Sequence, residues 1–184
     1  MTTPLEFLSQ RYSCGKLGEP GPNAGEVEQL LSIGLRAPDH GGIKPWHFIV
    51  MTGAGRERLG RIFAKAVSDN GAEETKIEKA TNMPLRAPCV IAVICKYKQH
   101  PKVPWIEQVQ SAGCSLFSMQ QAALAMGYGG IWRTGELARD EYVRQSLSLE
   151  KDDELVGFLY LGTETASNLC RKPIPHEKCV SYWD

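Results

Sequence analysis

Apolar and polar positions recur along this chain in two rhythms, one helical and one strand-like, and they change over at proline and glycine. Residues 4–10 read as a short helix with Thr3 as N-cap and Pro4 at the first helical position, where its missing N–H costs nothing. The polar stretch RYSCGKLGEPGPNAG ends it. From Glu26 the apolar positions Val27, Leu30, Leu31 and Leu35 fall at helical spacing, and Pro38 stops that helix near Arg36 and Ala37. Residues 47–51 predict a strand, Gly53-Ala54-Gly55 a turn, and residues 56–67 a helix. A polar helix over residues 73–81 is broken by Asn82-Met83-Pro84.

The second half is more apolar. The continuous run Cys89–Cys95 predicts a strand buried on both faces, at the centre of a sheet. Residues 105–126 have few helix breakers and carry apolar side chains at 105, 109, 112, 116, 119, 123 and 126, which predicts one long, largely buried helix. Its Ala112, Gly113, Ala122, Ala123 and Ala125 leave room for another helix to approach. Gly127-Tyr128-Gly129-Gly130 ends it, residues 131–135 read as a short strand or loop, residues 136–147 as a helix, and residues 155–161 as a strand. The apolar end Val180-Ser181-Tyr182-Trp183 is of the kind that docks on something.

Length and composition narrow the function classes. The 184 residues suit a single domain over 1–184, with no repeat, low-complexity tract or linker to divide it. Lys+Arg and Asp+Glu both number 21, so no net field favours nucleic acid or an anionic membrane. The N-terminus lacks a signal-peptide pattern, and no charge-free apolar run reaches the ~18 residues of a membrane span. The expected location is cytoplasmic. Six cysteines show no CxxC pair and no zinc spacing, which fits reduced thiols.

Common catalytic signatures fail on particular residues. Gly53-Ala54-Gly55 opens a GxG, but Arg58 occupies the third glycine position of a dinucleotide fingerprint. His40-Gly41-Gly42 has no GxSxG nucleophile to serve. His40 and His47 lack a third ligand, so no metal is expected. What remains is Arg11 with Ser13 after the first helix, Arg36 and His40 about a helix terminus, and Arg133 after a glycine-rich turn. A guanidinium is a fork of donors matched to phosphate oxygens, and three of them with hydroxyl partners suit a phosphate and sugar chain. Any one alone reads first as a cap or a surface ion pair, and it is their company that favours the ligand.

Arg11-Tyr12-Ser13, Arg36-Ala37-Pro38-Asp39-His40 with Pro45-Trp46-His47-Phe48, the strand after Ala87-Pro88, and Gly127-Tyr128-Gly129-Gly130-Ile131-Trp132-Arg133-Thr134-Gly135 together resemble the FMN-dependent nitroreductase family, in its compact single-domain bacterial branch. The resemblance implies an α+β fold, a mixed and largely antiparallel sheet flanked by helices, in an intertwined homodimer with FMN at the interface. It assigns Arg11, Tyr12 and Ser13 to the FMN phosphate and ribityl chain, Arg36 and His40 to the flavin of the partner subunit, and Trp132, Arg133 and Thr134 to the flavin of their own. Ala122, Ala123, Leu124, Ala125, Met126 and Gly127 match the segment assigned to NAD(P)H. The implied activity is transfer of a hydride from NADH or NADPH to the flavin, then of electrons to a nitroaromatic or quinone-type acceptor. No catalytic acid or base is demanded. Rival expectations are an FMN enzyme with another redox substrate, and a non-enzymatic flavin-binding redox sensor.

The residues agree with that assignment in part. Pro38 and Pro45 restrict the loop, and Gly41 and Gly42 permit backbone geometry that other residues resist. Gly129 and Gly130 would let main chain approach a flat ring. Trp46 reads as a packing anchor, while Trp132 suits the ring and the core equally. The sequence departs from the wider family at Tyr12, where a second arginine is common, and over residues 39–44. Arg171 and Lys172 are the local candidates for a basic C-terminal pair at the phosphate.

Overall fold

The computed structural model describes residues 3–166 and 179–183, and its helix starts follow directly from side-chain chemistry. In α1 (Pro4–Ser9) the Thr3 side chain accepts from the Glu6 N–H while the Glu6 carboxylate accepts from the Thr3 N–H. This reciprocal pair satisfies two donors that a helix start leaves open. Asn23 and Glu26 repeat it at α2 (Ala24–Gly34), which therefore begins slightly ahead of the predicted start. α3 (Ala54–Asp69), α4 (Glu74–Asn82) and α5 (Trp105–Ala125) lie where the periodicity predicts them. The single helix expected over residues 136–147 is instead a 3-10 turn, Glu136–Ala138, followed by α6 (Glu141–Ser146). Asp140 divides them, because its carboxylate accepts from the Val143 N–H and its own backbone is extended.

Five strands form the sheet: β1 (Leu17–Gly18), β2 (Trp46–Thr52), β3 (Cys89–Cys95), β4 (Gly129–Arg133) and β5 (Glu154–Glu164). β3 lies between β2 and β5, and β5 also takes β4 against Phe158–Gly162 and β1 against Thr163 and Glu164. All pairings among the described residues are antiparallel. The α+β expectation is borne out. So is full burial of β3 at the sheet centre, although its neighbours run antiparallel rather than in the parallel arrangement that such a run often marks. β1 was not legible, since a two-residue strand leaves no periodicity.

Alternation along β3 and β5 divides the core. Val90, Ala92, Ile94, Phe158 and Tyr160 face α3, α4 and α6, packing with Leu59, Phe63, Ala80 and Val143. Cys89, Ile91, Val93, Leu159 and Leu161 face α2 and α5, packing with Leu30, Leu116, Met119 and Ala123. The close approach of α2 to α5 depends on Gly34, where a Cβ would stand 2.9 Å from Met119. Burial pushes the Cys89 thiol up to about 11 and Cys95 up to about 12, with Asp153 and Glu154 adding to the rise at Cys95. Tyr182 and Trp183 are 81% and 96% exposed, so the apolar end does not dock on this chain at these positions.

Asp153 ties the sheet end together. Its buried carboxylate accepts from Lys96 Nζ at 2.6 Å and from the backbone N–H groups of Tyr97 and Glu150 at 3.0 and 2.8 Å. Burial alone would raise its pKa, but the Lys96 ammonium and the two N–H groups outweigh that and hold it below the usual 3.8. A carboxylate depressed by folding stabilises the fold fully above its unfolded pKa of about 3.9, and that stabilisation is lost as pH falls through the lower folded value. Asp153→Asn should therefore lower the urea midpoint at pH 7, with the gap to wild type closing in acid. A gap that stays constant down to pH 2 would contradict this role.

Gly60 in α3 sets the distance to α4. Alanine is the better helix former by ~1 kcal/mol, but a Cβ at Gly60 would collide with the Thr81 carbonyl oxygen. Overpacking costs about 1–3 kcal/mol, so Gly60→Ala should lower the urea midpoint. Gly55→Ala, where the nearest contact is Met51 Cβ at 3.5 Å, should not.

Candidate functional site

Pleating sends consecutive residues of β4 to opposite faces of the sheet. Arg133 lies on the α3/α4 side, its guanidinium over the Tyr160 ring at 5.7 Å. The segment after α1 runs beside it. The Cys14 N–H donates to the Gly130 carbonyl at 3.0 Å, the Tyr12 hydroxyl donates to the Glu164 carboxylate, and a Cβ at Gly15 would stand 3.0 Å from Arg133 Nη2. The chain from Tyr12 to Gly15 thereby runs beside Gly130, Arg133 and Glu164, far from it in sequence, with Arg11 and Ser13 on either side of Tyr12. Arg133 Nε is buried without a hydrogen-bond partner among the described residues. An unpaired buried donor of this kind costs about 1–3 kcal/mol unless something accepts from it.

Trp132 points the other way. Its indole Nε1 donates to the Val156 carbonyl at 3.1 Å, and its ring lies 3.6 Å from where a Cβ on Gly113 of α5 would be. It remains 37% exposed, both wall and surface. Gly129 and Gly130 serve the chain's own packing: a Cβ at Gly130 would stand 2.9 Å from Leu161, and one at Gly129 would strike Glu164.

Beside Arg133 opens a cleft of about 680 Å³. Its apolar floor includes Phe63, Met83, Ile131, Phe158 and Tyr160, while Lys76, Lys79, Arg86 and Arg133 supply its cations and Glu136 its carboxylate. Burial pushes the Tyr160 phenol up to about 12, with Arg133 and Arg86 pulling against it, so it remains a neutral hydroxyl at physiological pH. Reading residues 73–81 as a polar helix concealed Lys76 and Lys79 as residues lining a cleft, and nothing in the sequence singled out Arg86. The available signal was that Lys76, Lys79, Ala80 and Met83 share one stripe of a helix.

Arg36 and His40 form a second group, mounted on α5. Ser111 Oγ donates to the Pro38 carbonyl at 2.6 Å, and His40 Nδ1 lies 2.7 Å from Glu107 Oε2. Within the loop the Asp39 carboxylate accepts from the N–H groups of Ile43 and Lys44. Gly41, Gly42 and Lys44 all have positive φ, so two of the three tight positions use glycine, as expected. Both Arg36 and His40 are exposed. Ala122–Gly127 close α5. Ala122 and Ala123 are buried against α2, whereas Ala125 and Gly127 are exposed. The Tyr128 N–H to Ala123 and the Gly127 N–H to Leu124 finish the helix with Gly127 at φ 89°. This segment lies on the α2/α5 face and Arg133 on the other. Arg171 and Lys172 fall outside the described residues. Among the described residues no cluster of potential ligands could hold a metal ion, and no helix is long and apolar enough to cross a membrane.

Residues 8–163 match the Nitroreductase family. The chain is 45% identical over 159 residues, 86% of its length and 87% of the relative's, to the Escherichia coli (strain K12) protein named "Putative NAD(P)H nitroreductase YdjA". A nitroreductase-like family protein from Bacillus cereus superposes with a TM-score of 0.86 at 18% identity, covering 100% of this chain and 97% of that one. A nitroreductase with bound FMN from Bacteroides fragilis NCTC 9343 superposes with a TM-score of 0.72 at 18% identity, covering 98% of each chain. At that identity the two structures speak to the fold alone.

The seat of Trp132 depends on Gly157, where a Cβ would collide with the indole and stand 2.8 Å from the Arg133 carbonyl. Gly157→Ala should break the indole hydrogen bond to Val156, shift tryptophan emission and cost about 1–3 kcal/mol in urea unfolding. Unchanged emission and midpoint would show that the strand yields at no cost.

Proposed function

Since the chain belongs to the nitroreductase family, we propose that it is an FMN-dependent NAD(P)H oxidoreductase that reduces nitroaromatic or quinone-type acceptors. In this reading it is one domain over residues 1–184 and works in the cytoplasm as a homodimer with FMN at the interface. The observation that carries the reading is Arg133: a buried, unpartnered guanidinium nitrogen beside a side-chain-free Gly15, at the wall of a cleft with an apolar floor. A flat apolar ring with an anionic tail fits such a place, the floor taking the ring and the guanidinium a charged or carbonyl oxygen.

Arg11, Tyr12 and Ser13 would hold the phosphate and ribityl chain, and Arg133, Thr134 and the backbone of Trp132 the ring, the Trp132 indole itself facing α5. Ala122, Ala123, Leu124, Ala125, Met126 and Gly127 would receive NAD(P)H. Arg36 and His40 would complete the site of the second copy, and their exposure on a braced loop supports this. The exposed apolar side chains of Leu35, Ile106 and Phe117 support burial beyond one copy. FMN, when bound, supplies the hydride chemistry, while the protein binds, orients and excludes water.

The purified protein should be yellow and release FMN on denaturation. A colourless preparation that takes up no FMN on titration would overturn the reading. Arg36→Ala should weaken FMN retention by the ~1.5–3 kcal/mol of a charge-assisted donor, roughly 10- to 150-fold in dissociation constant, with the fold intact. Mixed with Arg11→Ala subunits, it should form heterodimers in which one site carries both lesions and the other neither. That intact site should bind FMN and turn over. Verified heterodimers without rescue would refute the cross-subunit role.

A further inference from the structure

Resting on that reading of the cleft, we propose that Lys76, Lys79 and Arg86 form a subsite for an anionic group, a carboxylate or sulfonate, on the aromatic acceptor. The helical repeat of α4 places Lys76 and Lys79 on the stripe that continues through Ala80 and Met83, at the cleft. On the helical repeat Glu74 falls about 160° from Lys76 and Glu78 about 100° from Lys79, while Glu73 stands one turn before Lys76 without an ion pair to it among the described residues. Arg86 reaches the same cleft from a separate element, the 3-10 turn Pro84–Arg86, and lies close enough to Tyr160 to act on its phenol.

Two lysines on an exposed helix are ordinarily a solvated face. These three cations differ in that their side chains make no hydrogen bond or ion pair among the described residues. They also converge on an apolar floor whose lining holds one carboxylate, that of Glu136. Arg11, Arg36 and Arg133 are committed to the cofactor in the reading above, so the α4 cations are left over for what approaches it. With the flavin ring taking that floor, the cations stand at the rim of the cleft, where an aromatic acceptor stacked on the ring would turn a negative edge toward them.

The test compares 4-nitrobenzoate with 4-nitrobenzyl alcohol, which differ in charge and little in size, as acceptors for the wild type, the K76Q/K79Q double variant and R86Q. In the double variant the ratio of kcat/KM for the anion to that for the neutral acceptor should fall about tenfold, equivalent to ~1.4 kcal/mol, through KM rather than kcat. R86Q should lower the same ratio. An equal fall for both acceptors overturns the proposal. So does an unchanged ratio, whether accompanied by a raised FMN dissociation constant, which would give the cations to the cofactor, or by slower flavin reduction by NADH or NADPH, which would give them to the hydride donor. Benzoate titrated against the protein as purified, followed by tryptophan emission, reads the subsite even in a preparation that turns over neither acceptor. Its dissociation constant should rise about tenfold in K76Q/K79Q, and an unchanged value overturns the subsite independently of the FMN reading.

Discussion

The rest of the structure depends on β5 and its pairing with β3. A strand covered by helices on both faces has no water for its backbone, so its N–H and C=O groups must find partners in neighbouring strands. β3 meets this requirement with β2 and β5, and β5 with β3, β4 and β1. The pairing with β4 positions Arg133 opposite Phe158 and near Tyr160. The pairing with β1 brings the segment after α1 back alongside β4, so that Cys14 bonds Gly130 and Gly15 lies against the Arg133 guanidinium. A cofactor-sized cleft at this place follows from how the sheet satisfies its own hydrogen bonds.

The same sheet separates the candidate residues. Its pleat sends Arg133 to the α3/α4 side and Trp132 toward α5, and the loop bearing Arg36 and His40 is braced on α5 by Ser111 and Glu107. One copy therefore holds the two groups of candidate residues apart. In the proposed reading a second copy would join them and would cover the apolar side chains left exposed on α2 and α5.

Charge balance over the whole chain conceals strong local order. The carboxylate of Asp153 is spent on a strut with Lys96 and two backbone donors, and Arg144 is turned toward the Glu150, Lys151 and Asp153 carbonyls, which hold the chain around α6 and the start of β5. Among the described residues the side chains of the cations about the cleft have no such partners. A net charge of zero thus excludes long-range attraction to a polyanion without excluding a cationic pocket for a small anion.

Local physics made much of the fold legible without coordinates. Helix periodicity located α3, α4 and α5, the apolar run located β3 to the residue, and Thr3 with Pro4 announced α1. The order of Arg11, Arg36 and Arg133 with their flanking residues pointed to the family, because a motif keeps its spacing along the chain. What the sequence could not carry depends on distance through space. The two-residue β1 has no period, Asp140 could have been either helix interior or cap, and Lys76, Lys79 and Arg86 look like solvated charges until α3 and the sheet set α4 over the Tyr160 face. A side chain's type and spacing are local properties. Its partner, its burial and the face it occupies are decided by packing against residues that the chain brings back from far away.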